Sequence, residues 1–230
     1  MVKFVIIVAG GKGLRMGGEI PKQFLPLNGK PVLMHTLERF VEYDENIKII
    51  VVLPQFQIDY WKHLCEQHQF TIAHICIAGG EERFHSVKNG LECIDNADSL
   101  VAIHDGVRPL VNVETISRCF EVASKKGNAI PVIDVADSVR IIEEGRNSPI
   151  DRNMVKLVQT PQIFSFSLLQ YAYNQTWHSQ LTDDASVIES AGNIVYLTEG
   201  NRENIKITNP FDFVIAESII SKRIKNNIFG

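Results

Sequence analysis

Phe4-Val5-Ile6-Ile7-Val8 runs directly into Ala9-Gly10-Gly11-Lys12-Gly13-Leu14-Arg15-Met16-Gly17-Gly18, and Pro21-Lys22-Gln23-Phe24 follows soon after. The first five residues are apolar at every position, so a strand built from them has no face to offer to water. Such a strand belongs inside a parallel sheet covered by helices on both sides. Other Val- and Ile-rich runs near 47–53, 72–78, 99–104, 128–133 and 194–198 also read as strands. Apolar residues at helical spacing lie between and after them: Leu33, Leu37, Phe40 and Val41; Val87, Leu91 and Ile94; and Phe213, Ala216 and Ile220 in a last helix from Pro210. Two more helices are expected at about 165–177 and 183–191. The alternation predicts an α/β fold, a Rossmann-like, mostly parallel sheet with helices on both faces.

The composition agrees with one compact domain over 1–230. The 230 residues are 45% hydrophobic and 22% charged, with a mean hydropathy of zero. These are globular averages, and they argue against disorder, coiled coils and collagen-like chains. Twenty-three Lys and Arg against 27 Asp and Glu give a net charge of −4. With no overall basic field, no nucleic-acid partner is expected, and any phosphate must be bound locally. The longest apolar runs, Phe4 to Ala9 and Ile49 to Leu53, are too short to span a bilayer, so no membrane partner is expected. Met-Val-Lys leads straight into the first strand without the marks of an export signal, which points to the cytoplasm. Cys65, Cys76, Cys93 and Cys119 form no CxxC pair and are expected to be buried free thiols.

The rhythm breaks between Asp134 and about Thr160. Val135, Val139, Ile141 and Ile142 are strand-like, Glu143 to Pro149 is a polar turn, and Met154 to Val158 is strand-like again. This reads as a hairpin arm at about 134–160. A lone hairpin is marginally stable in water, so the arm should pack on something, and a second copy of the chain is the natural candidate. A homodimer is expected.

The loop after the first strand carries the chemistry. Its helix does not begin until about Pro31, and a connection of roughly twenty residues in a compact α/β unit is more often functional than accidental. Its glycines let backbone N–H groups approach a phosphate chain, and Arg15 and Lys22 can neutralise charge there. It is not a Walker A loop, because Gly13 is followed by Leu14 rather than Lys and Ser or Thr. Nor is it a dinucleotide fingerprint: Met16 stands at the third glycine position, and the second strand ends Val52-Leu53-Pro54 without an acid for a ribose.

The remaining type is GGxGxRM followed by PKQ, which resembles nucleotidyltransferases that join a nucleoside triphosphate to a phosphorylated alcohol or sugar. Further motifs recur in order: Gly79-Gly80-Glu81-Glu82-Arg83-Phe84-His85-Ser86-Val87, His104-Asp105-Gly106-Val107-Arg108-Pro109, Asp151-Arg152-Asn153, Gln159-Thr160-Pro161-Gln162, Thr182-Asp183-Asp184-Ala185-Ser186 and Asn204-Ile205-Lys206-Ile207-Thr208. Together, across essentially the whole chain, they resemble the 2-C-methyl-D-erythritol 4-phosphate cytidylyltransferases of the non-mevalonate isoprenoid pathway. The resemblance implies a fold of the nucleotide-diphospho-sugar transferase type. It also implies attack of an acceptor phosphate oxygen on the α-phosphorus of CTP, with pyrophosphate leaving and no covalent enzyme intermediate.

The resemblance further implies the roles. Arg15, Lys22, Arg152 and Lys206 would be the catalytic cations. Val8, Ala9, Gly10, Gly11, Gly13 and Lys22, with Gly80, Glu81, Arg83, Ser86 and Gly106, would bind the nucleotide. Asp105, Ser138, Arg152, Thr160 and Lys206 would bind the acceptor. Mg²⁺ is implied by the triphosphate, with no protein ligand assigned, because a hard cation there takes most of its ligands from phosphate and water. His104 is expected to be a hydrogen-bonded structural histidine. Three departures stand out: Val8-Ala9-Gly10 where the family often has Pro-Ala-Ala, Ser138 where Thr is usual, and Gly106-Val107 where Ala-Ala is common. A sibling cytidylyltransferase acting on another polyol phosphate, such as ribitol 5-phosphate, stays open, as does a nucleotide-binding regulator without turnover.

Overall fold

The computed structural model describes residues 1–10 and 20–229, with side chains described as far as Arg223. In chain order the elements are β1 (Val2–Val8), β2 (Pro26–Leu27), β3 (Lys30–Pro31), α1 (Val32–Tyr43), β4 (Lys48–Leu53), α2 (Ile58–Gln67), β5 (Ile75–Ala78), α3 (Arg83–Leu91), β6 (Ser99–Asp105) and α4 (Val113–Lys126). Then come β7 (Asn128–Asp134), β8 (Val139–Glu143), β9 (Arg146–Ile150), β10 (Lys156–Val158), β11 (Gln162–Ser165), α5 (Phe166–Ala172), α6 (Asp184–Ser190), β12 (Leu197–Glu199) and α7 (Pro210–Phe229).

The eight-stranded main sheet has the order β10-β7-β11-β6-β1-β4-β5, with β12 also beside β7. β6, β1, β4 and β5 are parallel, and β11 enters antiparallel between β6 and β7. Alternation along β1 explains why both faces are covered. Val5 and Ile7 point into a core with Leu33, Leu37 and Phe40 of α1, Trp61 of α2 and Cys119 and Phe120 of α4. Phe4 and Ile6 point the other way, against Phe84, Val87 and Leu91 of α3, Leu169 of α5 and Ile188 of α6. Helix α3 lies so close to β1 that a Cβ on Gly90 would sit 2.8 Å from Ile6 Cγ2, so glycine is needed there despite its poor helix propensity.

Helix ends follow their local chemistry. The Asn112 side chain accepts the Thr115 N–H at the start of α4, and Gly127, at φ +87°, closes its end. Asp183 and Ser186 form a reciprocal capping box that opens α6.

Several expectations shift. The second strand of the arm is β9, not Met154 to Val158, and the turn is only Glu144-Gly145, both at positive φ. That is the two-residue turn favoured by the twist of a hairpin, so the arm is tighter than its polar stretch suggests. Lys156–Val158 instead joins the main sheet beside β7. The strand expected at 194–198 is β12, starting at Leu197, and the one at 72–78 begins at Ile75. The helices expected at 165–177 and 183–191 are shorter, as α5 and α6. Of the four thiols, all free, only Cys119 is buried; Cys65 and Cys76 are half-buried and Cys93, just past α3, is exposed.

Candidate active site at the carboxyl ends of the parallel strands

Ligands of open α/β sheets bind outside the carboxyl ends of the strands. Here four strand exits are tied together by backbone hydrogen bonds. Ala9 N–H donates to Val52 O at 2.9 Å, Gly106 N–H to Val8 O at 2.9 Å and Gly79 N–H to Leu53 O at 2.8 Å. Val8, Ala9, Gly10, Gly79, Gly80 and Gly106 therefore share one rim. Gly11, Gly13 and Arg15 lie outside the described residues.

Lys22 begins a single 3-10 turn, Lys22–Phe24, and the next residue fixes that turn to the rim. Buried Gln23 donates from Nε2 to Ala9 O and to Gln57 Oε1, both at 2.8 Å. Gln23 and Gln57 thus hold the backbone of Lys22 next to the exit of β1. Neither was expected as a functional residue; Gln23 stands in the quoted PKQ motif, but its partner Gln57 carries no local signal.

The turn after β5 is equally constrained. Gly80 N–H donates to Ser86 Oγ at 3.2 Å, and a Cβ on Gly79 would meet that oxygen at 2.7 Å. Ser86 is therefore buried as a brace of the Gly79-Gly80 turn, while Glu81 is exposed on the rim.

Asp105, at the end of β6, is the hub. Its Oδ2 accepts from Arg108 Nε at 3.1 Å and lies 3.1 Å from Lys206 Nζ, while Oδ1 faces Arg83 Nε at 3.8 Å. Burial alone would push this carboxyl up, but Arg83, Lys206 and Arg108 outweigh it and hold it well below the usual carboxylate range. Arg83 itself is clamped end-on by buried Asp184, Nη1 to Oδ1 at 2.7 Å and Nη2 to Oδ2 at 2.6 Å. Burial works against this cation, yet Asp184 and Asp105 raise its pKa further. Arg83, expected to close on the nucleotide, has its guanidinium between Asp184 and Asp105.

Arg108 O can only accept, so His104 carries its ring proton on Nε2 and donates it there at 3.1 Å. Its Nδ1 then accepts the Thr160 hydroxyl proton at 3.0 Å, while Thr160 Oγ1 accepts from the Asp105 N–H at 3.1 Å. His104 is the structural histidine expected, and Thr160 braces the end of β6. Burial depresses the His104 pKa to about 4, against about 6.5 when unfolded. A base depressed in the fold contributes stability that is present above the unfolded value and lost as pH falls. Stability should therefore drop between pH 6.5 and 4, by an amount on the order of 3 kcal/mol. Ring-carbon NMR should show His104 flat above pH 5 while the urea midpoint falls; a titration centred near 6.5 would contradict this assignment.

Asn204 donates from Nδ2 to Thr160 O at 2.8 Å and its own carbonyl accepts from Arg108 Nη1 at 2.8 Å, which fixes the segment bearing Lys206. Arg108, Asn204 and Asp184 were visible inside motifs but not expected as site residues, and Tyr173 lay in no motif. Arg152 and Ser138 are exposed at the base of the arm, with Arg152 Nη1 donating to Ala136 O at 2.6 Å. Among the described residues no hydrogen bond or ion pair links Arg152 to Asp105 or Lys206. No group of three or more His, Cys, Asp or Glu side chains able to hold a metal is found among them either. No helix among the described residues is long and apolar enough to cross a membrane.

The comparisons with known proteins agree with one another. Residues 3–222 match the family model "IspD: 2-C-methyl-D-erythritol 4-phosphate cytidylyltransferase". The protein of that name from Bacteroides fragilis is 56% identical over 220 residues, covering 96% of this chain and 100% of the relative. Its namesake from Bacteroides thetaiotaomicron is 54% identical over the same shares. The crystal structure of 4-diphosphocytidyl-2C-methyl-D-erythritol synthase from Anaerococcus prevotii superposes with a TM-score of 0.81 at 28% identity, covering 96% of each chain. A full-length family match, identities above half, and a shared sheet with the Asp105 cluster at its carboxyl edge lead to one conclusion: the chain belongs to the IspD family of 2-C-methyl-D-erythritol 4-phosphate cytidylyltransferases.

Proposed function

We propose that this chain joins CTP to 2-C-methyl-D-erythritol 4-phosphate, releasing pyrophosphate and giving 4-diphosphocytidyl-2-C-methyl-D-erythritol, with the site residues named above. The observation that carries the reading is the cation cluster of Arg83, Arg108 and Lys206 around Asp105, on the rim where the nucleotide loop leaves β1.

The enzyme's work is charge management. The acceptor phosphate is already ionised at neutral pH, so it needs no base, and neutral His104 supplies none. Negative charge grows on the α-phosphate oxygens and on the departing pyrophosphate. Arg15 and Lys22 are assigned to meet it, with main-chain N–H groups of Gly10, Gly11 and Gly13 along the triphosphate. Gly80, Glu81 and Gly106 border the base and ribose. Mg²⁺ is proposed to arrive on the triphosphate, held by phosphate oxygens and water, and to neutralise charge there.

Lys206 and Arg152 are assigned to the acceptor phosphate, for which a guanidinium fork is well suited. Because Arg152 is exposed on the arm and makes no hydrogen bond or ion pair with Lys206 among the described residues, we place it in the site of a partner subunit. The arm and the neighbouring sheet edge expose Ile142 at 78%, Met154 at 79% and Leu157 at 49%, an apolar surface that a second copy would cover. The reaction is placed in the cytoplasm.

Pyrophosphate release measured with CTP and Mg²⁺ tests the assignment. Release with methylerythritol phosphate and not with ribitol 5-phosphate is the expected result. Release with ribitol 5-phosphate alone would transfer the site to the sibling activity, and no release with either would make it a binding protein.

A further inference from the structure

Asp184 is fully buried at the first position of α6, 101 residues from Arg83 in the chain, and it does more than neutralise that arginine. Both its oxygens take the guanidinium end-on, and Oδ1 also accepts from Tyr173 O–H at 2.6 Å. Tyr173 is buried in turn, with its ring stacked on Phe84, the residue after Arg83, at 4.7 Å and 23°. The arginine is thus fixed at three points: its own helix, Asp184 and the aromatic pair behind it.

The consequence is read at Asp105. Its Oδ2 is engaged by Arg108 and Lys206, but Arg83 Nε stops 3.8 Å from Oδ1, inside ion-pair range and beyond hydrogen-bond range. Among the described residues no hydrogen bond to that oxygen is found. An unrestrained guanidinium beside an ionised carboxylate would close to roughly 2.8 Å and form the bond. Asp184 prevents this by engaging the other end of the fork.

We propose that Asp184 and Tyr173 are positioning residues that hold Arg83 off Asp105 and so leave Asp105 Oδ1 open, as the acceptor for a hydroxyl of the polyol substrate. The inference rests on the assignment of Asp105 to the acceptor, and goes beyond it by naming what keeps the oxygen available. It predicts that the damage from losing Asp184 travels through Arg83.

The test is steady-state kinetics on Asp184→Asn, Tyr173→Phe, Arg83→Gln and the Arg83→Gln/Asp184→Asn double variant, with thermal melting alongside. Asp184→Asn keeps the shape and frees the arginine, and KM for methylerythritol phosphate should rise about tenfold with KM for CTP within about twofold. Tyr173→Phe keeps the stacked ring and should move the same KM about threefold with little change in Tm. The double variant should be no worse than Arg83→Gln alone, because the arginine is the intermediary. The inference is overturned if Asp184→Asn and Tyr173→Phe lower Tm yet leave the acceptor KM unchanged, if the change falls on CTP instead, or if the double variant multiplies the two losses. Should Asp184→Asn fail to fold, Tyr173→Phe decides alone. A wild-type enzyme inert toward methylerythritol phosphate would sink the functional reading, and this inference with it.

Discussion

Lys22→Ala should cut kcat by about a hundredfold or more, the usual cost of removing one preorganised donor from a site of developing negative charge. The expectation rests on placement. Gln23 ties the 3-10 turn to Ala9 O, so the backbone of Lys22 is fixed beside the exit of β1, where the glycine-rich loop departs. A cation delivered there needs no reorganisation as charge moves from the α-phosphorus to the leaving group. If the amine acts chiefly on the transition state, kcat and kcat/KM fall together, whereas uniform binding would raise KM for CTP alone. Initial rates of pyrophosphate release at saturating CTP distinguish the two, and a rate within fivefold of wild type would remove Lys22 from the chemistry.

Asp105→Asn should be the second severe lesion, in stability as well as turnover. The carboxylate is the shared counter-charge of Arg83, Arg108 and Lys206; without it Arg83 keeps Asp184, while Arg108 and Lys206 lose their carboxylate partner. Breaking a buried pair by removing one partner costs about 3 to 5 kcal/mol, and the lower end applies here because Lys206 is 43% exposed. Its folded pKa is depressed, so the wild-type contribution is fully present above the unfolded value of about 4 and lost only as pH falls below it. Urea midpoints at pH 7 should therefore separate the two proteins widely, and kcat/KM for the acceptor should fall by about a hundredfold or more. Unchanged stability together with an acceptor KM within threefold of wild type would contradict the role of Asp105 as hub.

Much of this architecture could be read from the chain because the physics is local. Apolar runs such as Phe4 to Val8 can only be strands buried on two faces, and the stripe Leu33, Leu37, Phe40 can only lie against them. What escaped was non-local. β11 is four residues long and buried by strands on both sides, so Gln162-Ile163-Phe164-Ser165 shows no alternation to mark it. Arg146 to Pro149, polar and containing a proline, reads as a turn and so shifts the expected second strand to Met154 to Val158; as β9 it pairs only with β8, where little of it needs to be apolar. The site shows the same division. Motif residues Asp105, Lys206, Gly80 and Ser86 do gather at the strand exits, whereas Arg152 and Ser138 are exposed at the base of the arm and bond to none of them. Gln57, Tyr173 and the Arg83–Asp184 clamp were invisible, since each acts through a partner that no single sequence pairs with it.

The claim beneath all of this is that the nucleotide sits on the joined exits of β1, β5 and β6. Backbone amide NMR during a titration with CTP and Mg²⁺ tests it directly. The account predicts saturable shifts at Gly10, Gly80, Ser86 and Gly106. Shifts confined to the charged groove formed by Lys30, Arg39 and Arg223 between α1 and α7, with the strand exits silent, would contradict it.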